Sequence, residues 1–269
     1  MLSARSFLVR GLLAGLIAGF FAFGVAFVVG EPSVGAAIAL ESESGGHSHA
    51  PGLTEGHTHA DEGAATSSNE ETEVPRSLQS TLGLLTGTVV AGVTLGGLVG
   101  VLSALALGRF GALGPRATVL TVAACGFVSL YVIPTLAYPP NPPAVGSGDT
   151  IGYRTALYFT LVAISVIAMV AAVLGGRRLA ERWGGWYATL AAGAAYLVVT
   201  LACVALLPTF DEVPADFPAS VLFEFRRASF VTQLALWGAL GLVLAELTQR
   251  LLARSGPAPT APAPAAVAG

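Results

Sequence analysis

The sequence predicts an all-α, polytopic membrane helix bundle with six transmembrane helices and both termini in the cytoplasm. Three observations carry that prediction. Of 269 residues, 54% are hydrophobic and only 11% charged, whereas a soluble domain carries about 25% charged residues. Uncharged runs of about 20 residues, enough to cross a hydrocarbon core of about 30 Å, recur along the chain. The sparse arginines gather between alternate runs, the pattern of loops that stay on the cytoplasmic side.

The elements follow in order. Residues 11–30 form the first run, after Arg5 and Arg10 and before Glu31. It exceeds the apolar stretch of about 7–15 residues in a signal peptide, and no clear A-x-A cleavage site follows, so it reads as a retained helix. The remaining runs are 83–107, 117–138, 155–176, 183–210 and 228–245. Small residues recur at helical spacing within them, as Gly11, Gly15 and Gly19 and again as Gly92, Gly96 and Gly100. Such stripes let helix backbones approach closely where lipid supplies no hydrophobic push, so they read as packing surfaces. Tyr138, Tyr153, Trp183, Trp186 and Tyr187 fall near span ends, where amphipathic rings anchor at the interface.

The chain therefore divides into a first transmembrane helix (1–30), a His- and acid-rich outer loop expected to be disordered (31–77), a five-helix remainder (78–253) with ordered outer loops at 139–154 and 208–227, and a disordered Pro/Ala-rich tail (254–269). With the N-terminus inside, nine arginines are cytoplasmic and four (Arg76, Arg154, Arg226, Arg227) are outside. The acids divide more sharply: Glu181 and Glu246 are inside, and the other fourteen of sixteen lie outside together with all four histidines.

Several function classes fall away. All 13 positive charges are arginine, so the lysine of a phosphate-binding P-loop and any lysine Schiff base are excluded, and this chain binds no ATP by that motif. A net charge of −3 and a pI near 5.8 argue against nucleic acid. Neither H-E-x-x-H nor G-x-S-x-G occurs, so the chain is not expected to be an enzyme. No ionisable side chain lies near a span centre, which argues against a self-contained proton antiporter. Cys125 and Cys203 read as small packing residues, and Ser129, Thr200 and Gln233 as helix-to-helix hydrogen-bonding groups.

The chemistry concentrates outside. In the first loop two His-x-His pairs, His47/His49 and His57/His59, stand ten residues apart among Glu41, Glu43, Glu55, Asp61 and Glu62. In an extended segment residues i and i+2 project to one side, so each pair offers two imidazoles. Neutral imidazole with carboxylates suits divalent transition metals, and Co²⁺, Ni²⁺ and Zn²⁺ all fit such a donor set. Capture should weaken as pH falls through about 6.5, where the ligands protonate. The segments YPPNPPAVGSGDTIGYR and LPTFDEVPADFPASVLFEFRR carry prolines that favour defined paths over the bundle. Asn141, Asp149, Asp211, Glu212, Asp216 and Glu224 can ring an outer vestibule of oxygen ligands, or serve as interfacial polar groups and arginine partners. Glu31, at the outer end of the first span, has the same two readings.

Taken together, GEPSVGAAIALE after the first span, the His-x-His loop, PTLAYPPNPPAVGSGDTIGYRTALY and LPTFDEVPADFPASVLFEFRRASFVTQLALW resemble the CbtA family of probable cobalt-transporter subunits, from about Leu8 to Leu251. PPNPPAVG and LP-x-x-DEVP-x-x-FP are the distinctive parts. The resemblance implies a membrane-embedded, multi-pass subunit of the cell membrane, linked to cobalamin supply and partnered by a small single-span, histidine-bearing CbtB subunit. The family pattern has five membrane segments; the arginine distribution here favours six. Two functions remain open. One is an uptake subunit that gathers Co²⁺ through outer histidines and carboxylates and passes it into the bundle. The other is a non-transporting metal-binding or sensor subunit that anchors a partner.

Overall fold

Apolar segments in lipid have no water to satisfy their backbone, and a helix pairs every N–H and C=O within the segment. The computed structural model follows that rule. It describes residues 4–45, 75–111 and 113–255, and among the described residues every regular element is helical. α1 (Ala4–Val25) runs through a π-helical turn (Ala26–Gly30) into α2 (Glu31–Gly45). α3 (Arg76–Leu78), a π turn (Gln79–Gly83) and α4 (Leu84–Ala106) make a second rod. α5 (Pro115–Phe127), a π turn (Val128–Val132) and α6 (Ile133–Ala137) make a third. α7 (Ile151–Leu206) and α8 (Ala219–Ser255) complete the order.

Among the described residues five helices are long and apolar enough to cross a membrane, where the sequence predicts six runs. The difference lies in α7, which contains both the fourth and the fifth run. Gly184 leaves the helix at φ 77°, ψ 159°, a conformation essentially reserved for glycine. The arms on either side fold back on each other: the Ser165 and Tyr196 hydroxyls meet at 2.9 Å, and a Cβ on Gly176 would lie 3.0 Å from that of Ala192. The expected loop at 177–182 is instead helical up to this reversal, because Arg, Leu, Ala and Glu are strong helix formers.

Two other boundaries are corrected. The outer loop was expected to start at Glu31, but residues 31–45 continue the first helix; Ala, Ile, Leu and Glu favour helix, and Pro32 falls in the first turn. The ordered loops are shorter than 139–154 and 208–227, since α7 begins at Ile151 and α8 at Ala219. The histidines, Asp61 and the Pro/Ala-rich tail lie outside the described residues.

Among the described residues, two of the three π turns share a cause. Pro32 and Pro134 each stand two residues beyond one. A proline ring clashes with the carbonyl one turn back and withholds an N–H, and widening the preceding turn relieves both. The π register is visible in the bond from the Glu31 N–H to the Ala26 carbonyl.

The core confirms the packing role of the glycine stripes and identifies their partner. α1 and α4 lie antiparallel with the two stripes face to face. A Cβ on Gly11 would stand 2.2 Å from the Gly96 carbonyl oxygen, and one on Gly15 would stand 2.1 Å from that of Gly92. On its other face α1 presents Ala14, Ala18 and Ala22 to a core with Val119 and Ala123 of α5 and Leu236, Leu240 and Leu244 of α8. Trp237 of α8 lies over Gly126, where a Cβ would meet its ring at 2.6 Å. A second cluster, Ile133, Leu161 and Tyr196, joins α6 to both arms of α7.

Candidate functional site

At one end of the bundle the loops before α7 and α8 tie themselves together. The Tyr138 hydroxyl donates to the Pro208 carbonyl at 3.0 Å, and its ring lies against Phe210. Arg226 of α8 reaches back to the Pro140 carbonyl at 3.4 Å and the Asn141 side-chain oxygen at 3.0 Å. Glu212 forms the main joint: it accepts from the Ser147 N–H at 2.8 Å and the Thr150 hydroxyl at 2.6 Å, and it pairs with Arg154 at 3.0 Å. The Thr150 hydroxyl, then the Ser147 amide and the Arg154 guanidinium, hold this carboxyl below its ordinary titration range. Gly146 makes room for the joint; at φ 123° a Cβ there would sit 2.9 Å from the Arg154 guanidinium.

Two open clefts border this cap. The larger, about 590 Å³, lies between the loops and the start of α7, and its charged lining comprises Arg154, Arg226, Asp211 and Glu212. The second, about 310 Å³, lies where the first, second and third rods meet α8. Its one formally charged lining residue is Glu31, which is paired with Arg76 at the start of the second rod. Tyr131, Ser229, Thr232 and Gln233 supply its polar lining.

The expected ligands are therefore placed unevenly. Glu31 and Glu212 have arginine partners, the second of the two readings open to them. Glu41 lies on the exposed side of α2, and Asp149, Asp211, Asp216 and Glu224 are exposed. Among the described residues no three His, Cys, Asp or Glu side chains are grouped to hold one metal ion. The structure thus brings Asp211 and Glu212 to one cleft and Glu31 to another, without closing the expected ring. The sequence reading missed Ser147, Thr150 and the gripping roles of Arg76, Arg154 and Arg226. The latter two stand inside the longer segments that carry the family resemblance, a signal that was present.

Comparison with curated proteins and with solved structures finds no match. The family model described as "Probable cobalt transporter subunit (CbtA)" matches residues 4–249. That span takes in α1 to α7, α8 as far as Gln249, both tied loops and both clefts, and the chain belongs to the CbtA family.

Proposed function

We propose that this chain is the membrane subunit of a Co²⁺ uptake transporter, gathering the cation on the outer face and passing it into the bundle. Family membership across nearly the whole chain carries this reading. In it the chain crosses the cell membrane six times, α7 counting twice because its arms fold back at Gly184, and both termini are cytoplasmic. The arginine distribution supports that orientation. His47, His49, His57 and His59 act as collectors, with Glu41 and Asp61 beside them in sequence. Glu212 and Arg154 hold the outer cap in shape. The chain catalyses no reaction of its own, and a small single-span, CbtB-like subunit completes the assembly.

Radiolabelled Co²⁺ uptake under cobalt limitation, in cells with and without the chain, is the test. Equal uptake overturns the transporter reading. Replacing all four histidines by alanine is expected to raise the Co²⁺ concentration for half-maximal uptake while leaving the amount of assembled protein unchanged. The absence of ionisable groups near the span centres favours a second reading, a metal-binding subunit that anchors a partner. Under that reading the chain alone in liposomes moves no Co²⁺.

A further inference from the structure

The three π turns among the described residues, scattered across the sequence, converge in space. Ala26 and Gly30 bound the first and line the smaller cleft; Tyr131 belongs to the third; and Leu84, directly after the second, lines it too. π turns are rare and recur at functional sites, because they shift backbone carbonyls out of the regular ladder. Pro32, next in sequence to Glu31, and Pro134 each withhold an N–H as well.

The side chains add to this. Most hydroxyls within these helices bond back to their own backbone, as Thr88, Thr121, Ser129 and Thr200 do. Ser229, Thr232 and Gln233 make no side-chain hydrogen bond among the described residues. The Tyr131 hydroxyl is buried, with Thr135 close by but no hydrogen bond of acceptable geometry among the described residues. The Ala26 and Gly30 carbonyls already accept from the Glu31 N–H and the Ser33 hydroxyl, so the free oxygen acceptors that the cleft gathers around its one carboxylate are these side chains. A divalent ion with six waters, at about 30 Å³ each, occupies about 180 Å³, and the cleft offers about 310 Å³. In the larger cleft Asp211 and Glu212 are matched by Arg154 and Arg226, both among the lining residues.

We propose that the smaller cleft is the entry chamber through which a partly hydrated divalent cation leaves the outer face. Glu31 is its charged ligand, and Arg76 is the counter-ion that the cation displaces. The proposal rests on the transporter reading and gives it a site. The Glu31 side chain is 20% exposed and that of Arg76 38% exposed, and ion pairs so close to solvent are weak enough for a divalent cation to compete.

The test is radiolabelled Co²⁺ uptake by cells carrying full-length variants, each scored against its measured membrane level. Glu31→Gln is expected to raise the concentration for half-maximal uptake about ten-fold, the scale of one lost charged contact. Arg76→Gln, with Glu31 intact, is expected to lower it or leave it unchanged. Were the pair only a structural latch, both variants would impair uptake alike, and that result overturns the proposal. Thr232→Val and Gln233→Leu leave the pair in place and are expected to lower the maximal rate about ten-fold, on the scale seen when groups around a metal site are removed; they decide the matter if Glu31→Gln fails to accumulate. Wild-type uptake with all four variants at wild-type values overturns the chamber alone. No uptake by the wild type overturns the transporter reading and the chamber with it.

Discussion

Gly96→Ala adds one carbon at the closest approach of α1 and α4. A Cβ there would lie 2.2 Å from the Gly11 carbonyl oxygen and 2.7 Å from the Gly15 Cα, whereas ordinary contact begins at 3.4 Å. Both obstacles are backbone, so no side chain can rotate aside, and the rods must part by about 1.2 Å, the difference between those two distances. A radial gap of that size forfeits a quarter to a half or more of each van der Waals contact along the seam. Overpacking of this kind costs about 1–3 kcal/mol, against about 1 kcal/mol gained from replacing glycine within a helix. Gly87, in the same helix, has nothing within 4 Å of its would-be Cβ and reports the helix gain alone. Gly87→Ala is therefore expected to stabilise by about 1 kcal/mol and Gly96→Ala to destabilise by about 1 kcal/mol, a gap of about 2. Unfolding of the purified variants in mixed detergent micelles measures the gap. Equal stabilities would refute the seam.

Further outcomes follow from the cap and the reversal. Because Glu212 titrates below its ordinary value of 4.5, its hold on Ser147 and Thr150 is at full strength above that value and is lost as pH falls through the lower folded pKa. Hydrogen-exchange protection of residues 138–150, taken relative to the free-chain rate at each pH, is expected to fall on acidification below 4.5, and Glu212→Gln to remove most of that dependence. Unchanged acid behaviour in Glu212→Gln would place the sensitivity elsewhere. Gly184→Ala puts a side chain at φ 77° and is expected to destabilise by about 1–3 kcal/mol in the same micelle assay. Gly185→Ala, with open space around it, serves as the control.

Much of the architecture was legible because lipid enforces simple rules. The glycine stripes announced close packing by their spacing alone, although nothing in either stripe named the other as its partner. Apolarity located the long helices, while arginines misplaced the turn between the fourth and fifth runs: residues 177–182 are polar yet strongly helix-forming, and polarity marks where an apolar run ends, not where a helix ends. Glu31 and Arg76 lie 45 residues apart and Glu212 and Arg154 lie 58 apart, so their pairing required the fold. The chamber was hidden for another reason. Its donors are a glutamine, two hydroxyls and a tyrosine, each ordinary in a membrane helix, and only the convergence of the π turns singles them out. Two of those turns do have a sequence signal, a proline two residues beyond, which becomes readable once the helix is known to continue past it.

The unbroken course of residues 4–45 has a consequence for the reach of the chain. Val25 and Glu31, which flank the π turn, are both helical, and this length of helix measures about 60 Å, twice the thickness of a hydrocarbon core of about 30 Å. The stretch from Glu31 onward supplies about 22 Å of it and is steadied at its foot by the buried Ser33 and Ala37. The first helix is thus twice as long as a crossing requires, and its surplus ends at Gly45, two residues before His47 in the sequence.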